Sequence, residues 1–406
     1  MYGNTSTPSS APATLLRVTE LEGKGRSFVA SAPLRAGEII LRDSPLLLYS
    51  AFPFFPTSEP PHVWSKNLYC SNCFRLITSL PPPSSCPSCS DVFCSSGCQS
   101  VAGSTSHTPW ICQSLRRLRD GSSSPLVAQS YVRQVLSRYL LAAYNLAAIS
   151  PSNFRILLSL QGNPSTIFED DANFLHSLIA SLSPTPAREF GFSRELTAAL
   201  LARDGINSFG LMEPFHPDME RSVRAYGIYP KASLFNHDCL PNACRFDYVD
   251  ADSNPYTNTD VVIRVLHDVT EGREVCLSYF PVNLKYSERQ RRLREDYGFI
   301  CHCDRCNVEA NWKEEDEEEE VEDMSGNGSG MSEGEEAMDR EGMDEEEMEG
   351  DDGDFPHAYF FIRFMCNRDN CGGTLAPLPP SSASPESTST LMECNVCGNV
   401  GKVEDD

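Results

Sequence analysis

The sequence predicts a mixed α+β protein in which two groups of short strands flank a helical insert and cysteine-rich modules need metal to fold. Three observations carry this. Short β-type runs bounded by Gly or Pro turns occur before residue 50 and again after residue 206, and the stretch between them places apolar residues at helical spacing. The 406-residue chain holds 17 cysteines, grouped rather than scattered, with neither the basic start nor the apolar core of a secretory signal. Disulfides are not expected in that setting, and clustered Cys pairs point to zinc. Third, the formal charge of −24 is local. Residues 314–354 hold 22 Asp or Glu against the single Arg340, a charge of −21, which leaves −3 for the other 365 residues. The body is nearly neutral, so direct DNA binding through a basic domain is not expected.

At ~100–200 residues per domain, the length allows about two to four domains and a sizeable core. No apolar run reaches the ~18 residues of a membrane span; Leu140 to Ile149 is too short and contains Asn145. These features predict a protein of the nucleus or cytoplasm with no membrane partner.

Along the chain, residues 1–14 are Ser, Thr, Pro and Ala and read as a disordered tail. Arg26 to Ser31 and Glu38 to Asp43 read as strands, the second after an Ala36-Gly37 turn. A cysteine block follows, then a helix that the Ser124-Pro125 pair is expected to open, with Val127, Tyr131, Val135, Leu136 and Tyr139 at helical spacing. Further helices are expected near Phe174 to Leu182 and Arg194 to Arg203. From Ile206 the pattern returns to strands, among them Val261 to Val265 and Glu274 to Tyr279. The acidic run has too few large apolar side chains to offset its ordering entropy and reads as a disordered insert. It is either a solvated linker or a tether that concentrates Lys-rich tails. No internal repeat is visible.

The first cysteine block reads Cys70-x2-Cys73, Cys86-x2-Cys89, Cys94-x3-Cys98 and His107-x4-Cys112, eight N/S ligands for two tetrahedral zinc ions. So short a segment needs metal to fold. A second cluster, Cys301, Cys303 and Cys306, lacks the fourth ligand of a closed site, for which Cys239, Cys244 and Cys276 are the candidates. A third, Cys366-x4-Cys371 and Cys394-x2-Cys397, has glycine after each inner Cys and reads as a zinc ribbon.

The first block resembles a MYND finger, whose ligands pair alternately. The resemblance puts Cys70, Cys73, Cys94 and Cys98 on one zinc and Cys86, Cys89, His107 and Cys112 on the other. The family usually has three residues between the His and the last Cys; here the additional one is expected to be absorbed at Pro109, with His62 as a substitute ligand. Three more segments, Gly23-Lys24-Gly25-Arg26, Asn236-His237-Asp238-Cys239-Leu240-Pro241-Asn242 and Glu274-Val275-Cys276-Leu277-Ser278-Tyr279, resemble the SET domain of lysine methyltransferases. Ile206-Asn207-Ser208-Phe209 and Gly227-Ile228-Tyr229-Pro230 add to the match, and the Cys cluster after Tyr297 resembles a post-SET segment. A MYND finger interrupting the SET halves marks the SET-MYND (SMYD-type) family.

The resemblance implies SET-domain β-sheets with a pseudoknot, an inserted MYND finger, a helical insert, a post-SET zinc cluster and a zinc-ribbon-like end. The implied layout is a tail at 1–14, the N-terminal SET part at 15–66, the finger at 67–112, the helical insert at 113–204, core SET at 205–285, post-SET at 286–310, the acidic linker at 311–354 and the ribbon at 355–406. S-adenosylmethionine is expected against Lys24 and Gly25, with Asn207, Asn236 and His237 holding its amino-acid and adenosine parts and Phe299 stacking on adenine; a weaker match adds Gln161 and Asn163. Tyr279 is the expected catalytic residue, also touching the cofactor, and Phe209 and Tyr297 line the substrate channel. Cys239 becomes the fourth ligand beside Cys301, Cys303 and Cys306. That makes two zinc ions in the finger, one in the post-SET cluster and one in the ribbon, and leaves Cys244 and Cys276 unassigned.

SMYD-type chains usually continue into a helical C-terminal domain. Here an acidic run and a ribbon follow instead, a layout closer to plant ASH-related members. The implied function is methyl transfer to protein lysines, histones among them, with proline-containing partner segments at the finger. The alternative is a MYND-based adaptor carrying a silent SET fold, which has no need of Asn236, His237 and Tyr279 together. An acidic histone chaperone leaves those motifs unexplained.

Overall fold

The structure, a computed structural model, describes residues 14–57, 67–78, 83–121, 123–162, 169–182, 188–218, 221–251, 257–312, 358–380 and 389–402. His62, Asn163, nearly all of the N-terminal tail and the acidic run, with the expectations attached to them, lie outside the described residues.

Strands β1 (Leu16–Leu21) and β2 (Gly25–Ala30) form an antiparallel hairpin. Its turn ends on Gly25 at φ +72°, in the left-handed region that glycine enters without strain. β3 (Ile39–Asp43) and β4 (Leu47–Ser50) follow. The cysteine block contributes a two-residue hairpin, β5 (Ser84–Ser85) with β6 (Val92–Phe93), then α1 (Ser96–Ser104) and α2 (Pro109–Leu118). Thr108 caps α2 by accepting from the Ile111 N–H, and Pro109 opens it, where a missing N–H costs nothing. The residues between His107 and Cys112 form this helix start.

Four helices form the central layer: α3 (Tyr131–Ile149), α4 (Pro151–Ser159), α5 (Glu169–Ser181) and α6 (Arg194–Asn207). The helix expected to open at Ser124-Pro125 opens instead at Tyr131. Ser130 caps it by accepting from the Arg133 N–H, residues 124–129 are mostly turns, and Val127 is 46% exposed. A Ser directly ahead of the long apolar run outcompetes the earlier pair as a cap. α6 also differs from expectation: it runs through Asn207, where strand was expected from Ile206, and β7 (Ser208–Met212) starts at once.

β8 (Val223–Ile228) lies between β4 and β7 in an antiparallel sheet. After β9 (Asn236–His237), β10 (Ala243–Asp247) and β11 (Val261–Val265) join β3 in the order β10-β11-β3. The run expected as a strand from Glu274 to Tyr279 is regular only as β12 (Cys276–Leu277), with one further bridge from Glu274 to Val29. β12 pairs in parallel with β9, setting Asn236 opposite Cys276 and His237 opposite Leu277. The chain then gives α7 (Tyr286–Arg292), α8 (Asp304–Glu309) and α9 (Ala358–Phe364). The last sheet is β13 (Leu375–Pro377), β14 (Leu391–Cys394) and β15 (Val400–Lys402).

The largest core joins the helices, β4 and the finger: Tyr139, Tyr144, Phe154, Leu175 and Leu200 are buried with Leu47, Phe93, Ile111 and Leu118. Asn145 fastens the finger to α3, donating to the Thr105 carbonyl at 2.7 Å and accepting from the Thr108 hydroxyl at 2.7 Å. A second core, with Phe28, Leu34, Phe235, Ile263, Val265, Val275 and Leu277, underlies the β2, β9, β11 and β12 region. In the helical layer Asp204 is buried and accepts from the Tyr49 hydroxyl at 2.6 Å. Burial pushes its pKa up to about 7, the Tyr49 hydrogen bond opposing. The folded form therefore holds the neutral acid. The stability linked to it is complete below the unfolded carboxylate range and is lost as pH rises through about 7, a penalty of up to roughly 4 kcal/mol. Asp204→Asn is expected to melt above the parent protein near pH 8 and to lose that advantage toward pH 4, as paired thermal melts will report.

Candidate active site and metal centres

Four clusters bring their ligand atoms within 4.8 Å of one another: Cys70/Cys73/Cys94/Cys98, Cys86/Cys89/His107/Cys112, Cys239/Cys301/Cys303/Cys306 and Cys366/Cys371/Cys394/Cys397. Representative Sγ–Sγ separations are 3.5 Å for Cys70–Cys98, 3.8 Å for Cys73–Cys94, 3.5 Å for Cys239–Cys306 and 3.8 Å for Cys366–Cys397. Those distances are far too long for disulfides and match the edge of about 3.8 Å of a thiolate tetrahedron around zinc with Zn–S ~2.3 Å. The donor sets therefore fit zinc.

The surroundings fit as well. His107 turns Nε2 toward Cys89 Sγ at 3.5 Å and Nδ1 toward Asp91 at 3.2 Å; Asp91 also accepts from Arg119 at 2.6 Å. A carboxylate behind a ligating imidazole fixes its tautomer and orientation. At the third cluster the fully buried Arg289 donates to Cys239 Sγ (3.3 Å), Cys306 Sγ (3.6 Å) and Glu309 (2.5 Å). Arg305 pairs with the same Glu309 at 2.6 Å. Two guanidiniums against one carboxylate leave a positive charge beside thiolates whose site is net negative when metallated.

The third cluster forms one wall of a cleft of about 580 Å³. Its other walls come from the β1–β2 turn (Gly23 to Arg26), the end of α4 with Gln161, the last turn of α6 with Asn207, and the β9 segment. Lys24, Gly25, Asn207, Asn236, His237, Tyr279, Tyr297 and Phe299 all line it. Gln161, the weaker candidate, lines it too. Phe209 does not: it sits on β7, edge-on to Tyr229 at 5.6 Å, with the Arg245 guanidinium 5.4 Å from its ring.

Glu274, to which the sequence reading assigned no role, organises the polar end of the cleft. Its carboxylate accepts from Lys24 Nζ (2.7 Å), the buried Ser27 hydroxyl (2.7 Å) and Asn236 Nδ2 (2.9 Å). Burial alone would push its pKa up, but the three donors hold it below the usual carboxylate range. An ionised carboxylate can only accept, so Asn236 must turn its NH₂ to Glu274, which leaves its Oδ1 without a partner among the described residues. Asn207 is similar: Nδ2 donates to the Gln161 and Arg203 carbonyls, both at 2.8 Å, and Oδ1 has no partner among the described residues. The sequence signal for Glu274 was its place in the Glu274-to-Tyr279 motif. Glu274→Ala releases the Asn236 amide and is expected to weaken binding of S-adenosylmethionine, the ligand the resemblance implies, about tenfold, measurable by calorimetry.

His237 couples the metal cluster to Tyr279. The Tyr279 backbone N–H can only donate, so His237 Nδ1, at 3.1 Å, accepts, and Nε2 carries the proton that faces Cys239 Sγ at 3.2 Å. Burial pushes the His237 pKa down to about 3, keeping the ring neutral. Both ring nitrogens are thus engaged within the protein, and only its ring faces and backbone remain for a ligand. The Tyr279 hydroxyl donates to the Phe235 carbonyl at 3.0 Å, and its ring lies 4.7 Å from that of Tyr297. Burial raises the Tyr279 pKa, so the phenol stays protonated. Phe299 (38% exposed) and Ile300 (48% exposed) present apolar surface to the cleft. A flat apolar surface at one end and unpartnered amide oxygens at the other fit a ligand that joins an aromatic base to an ammonium group.

The SET domain family model matches residues 25–280. The chain is 56% identical over 409 residues to the histone-lysine N-methyltransferase ASHR2 of Arabidopsis thaliana, covering 97% of each chain. It is 24% identical over 291 residues to the histone-lysine N-methyltransferase SMYD3 of Homo sapiens, covering 70% of this chain and 60% of that one. With ASHR1 of Arabidopsis thaliana it shares 24% identity over 295 residues, 72% of this chain and 55% of the relative. The likeness to ASHR2 therefore includes the acidic run and the terminal cysteine segment, whereas SMYD3 and ASHR1 are matched over little more than half their length.

Proposed function

The chain belongs to the SET-domain family, and we propose that it is an S-adenosylmethionine-dependent protein-lysine N-methyltransferase whose substrates are histones. The observation that carries the reading is the cleft in which the β9–β12 pairing sets Asn236 and His237 beside Tyr279, closed by a metal cluster. The name of the 56%-identical relative supports histone substrates and a nuclear site of action. Among the described residues, no helix is long and apolar enough to cross a membrane.

When bound, the cofactor supplies a methyl group on a sulfonium centre open to in-line attack by an amine. Asn236 and Asn207 would offer their amide oxygens to its ammonium group, Lys24 and Gly25 would lie against it, His237 would offer ring and backbone, and Phe299 would stack on its base. The lysine amine, with a reference pKa of ~10.4, must lose a proton before it attacks. The half-buried rings of Tyr279 and Tyr297 disfavour its ammonium form by limiting its hydration. Because the Tyr279 hydroxyl already donates to Phe235, its oxygen is left to accept from the amine N–H and so aims the nitrogen lone pair. Phe209, outside the cleft, and Tyr297, within it, are the residues that set the width of the lysine passage.

The cross-braced finger, with Val101 and Leu68 about half exposed, serves as a docking module for proline-containing segments. The test of the main reading is labelled methyl transfer by the full chain to core histones and to a histone-free protein mixture, with cofactor binding followed by calorimetry. Transfer to histones is expected. Absence of both binding and transfer leaves a silent scaffold and sinks the enzyme.

A further inference from the structure

The terminal cysteine segment is fastened rigidly to the strands that precede the acidic run. Arg264 on β11 is fully buried and donates to the Pro377 carbonyl (3.1 Å) and Glu393 (2.6 Å), with its guanidinium 3.7 Å from the Phe246 ring centre. Around it Cys244, Phe246, Val262 and Leu266 share a core with Phe364, Ala376 and Met392. A Cβ on Gly37 would lie 2.5 Å from the Leu378 carbonyl oxygen, so the backbones themselves are in close contact.

This docking delivers the two cysteine knuckles to particular places. On the first, Asn370 donates to the Pro217 carbonyl at 3.1 Å, and the Arg368 guanidinium lies 5.5 Å from the Phe215 ring centre. A Cβ on Gly372 would lie 3.4 Å from Asn283 Oδ1 and 3.8 Å from Pro281. On the second, Asn395 donates to the Arg245 carbonyl at 3.0 Å. The Arg245 guanidinium in turn donates to the Gly210 carbonyl at 2.8 Å and lies over Phe209. Pro281 and Asn283 follow Tyr279 directly, and Phe215 and Pro217 follow the strand that carries Phe209. Both knuckles therefore bear on the segments that follow Phe209 and Tyr279, the residues that the methyltransferase reading puts at the lysine passage.

We propose that the terminal four-cysteine segment forms the outer rim of the lysine passage and holds the extended polypeptide that flanks the target lysine, with Arg368 and Asn370 as its specificity-determining contacts. This rests on the methyltransferase reading. Arg368 is exposed and has no carboxylate partner among the described residues, so its guanidinium is available to substrate carbonyls or side chains.

The test uses the full chain with core histones as the probe. The Arg368→Ala/Asn370→Ala double variant is expected to raise KM for histones about five- to twentyfold, with kcat and cofactor affinity within twofold and zinc content unchanged. If the double variant loses zinc, the single Arg368→Ala, whose guanidinium lies over Phe215, carries the same expectation. Transfer with an unaltered KM in these variants overturns the rim and leaves the enzyme standing. No transfer by the unaltered chain overturns both.

Discussion

Tyr279→Phe is expected to lower kcat by about 10²–10³-fold while cofactor affinity stays within about threefold. The ring itself is held by packing, 4.7 Å from Tyr297 and 5.2 Å from His237, so removing one oxygen leaves it in place. The backbone N–H that orients His237 is also retained. What is lost is the hydroxyl, which donates to Phe235 and offers its oxygen to the incoming amine. The effect should therefore fall on the chemical step and not on cofactor binding. Quenched-flow methyl transfer and calorimetry on the same preparation separate the two, and a kcat within threefold of the parent would remove Tyr279 from the reaction.

The ease with which parts of this site are read from sequence follows from how local their chemistry is. A CxxC pair holds both ligands on one turn, so the finger and the terminal cluster are visible in their spacing, and the NHxCxPN string carries Asn236, His237 and Cys239 together. The fourth ligand at Cys239 is different. It joins cysteines more than sixty residues later, and only the resemblance singled it out from Cys244 and Cys276, which the fold buries elsewhere. Glu274 was in view but silent, because its three donors come from β2, the preceding turn and β9, and no periodicity links them.

Fold boundaries failed in the same way. The helix start moved from Ser124 to Tyr131 because local cap signals compete and the apolar run decides. The pairing of β3 with β11 and the burial of Arg264 against Glu393 depend on contacts across much of the chain. An arginine with no exposure reads as a surface residue in any composition-based analysis.

Cys239→Ser is expected to remove one zinc of four and to weaken cofactor binding by about 10²-fold or more, because the third cluster is a wall of the cleft and not an accessory to it. Phe299, Ile300 and His302 lie immediately before or between the ligands Cys301 and Cys303, and all line the cleft. With the cluster open, the loop keeps only hydrogen bonds: Gln290 to the Cys301 N–H and carbonyl, the Phe299 N–H to the Leu293 carbonyl, and Asn307 to the His302 and Cys303 carbonyls. His237 also loses the sulfur facing its Nε2, while the Tyr279 N–H continues to hold Nδ1 as the acceptor. Arg289 and Arg305 are left beside a single Glu309, a buried positive charge without its counterion. Cys397→Ser makes the contrast: it opens the terminal cluster, which touches the passage from the other side, and should leave cofactor affinity within threefold. Zinc stoichiometry and cofactor titration of both variants check the difference. If Cys239→Ser loses its zinc yet binds cofactor as the parent does, the loop stands without metal and the cluster is not the cleft's support.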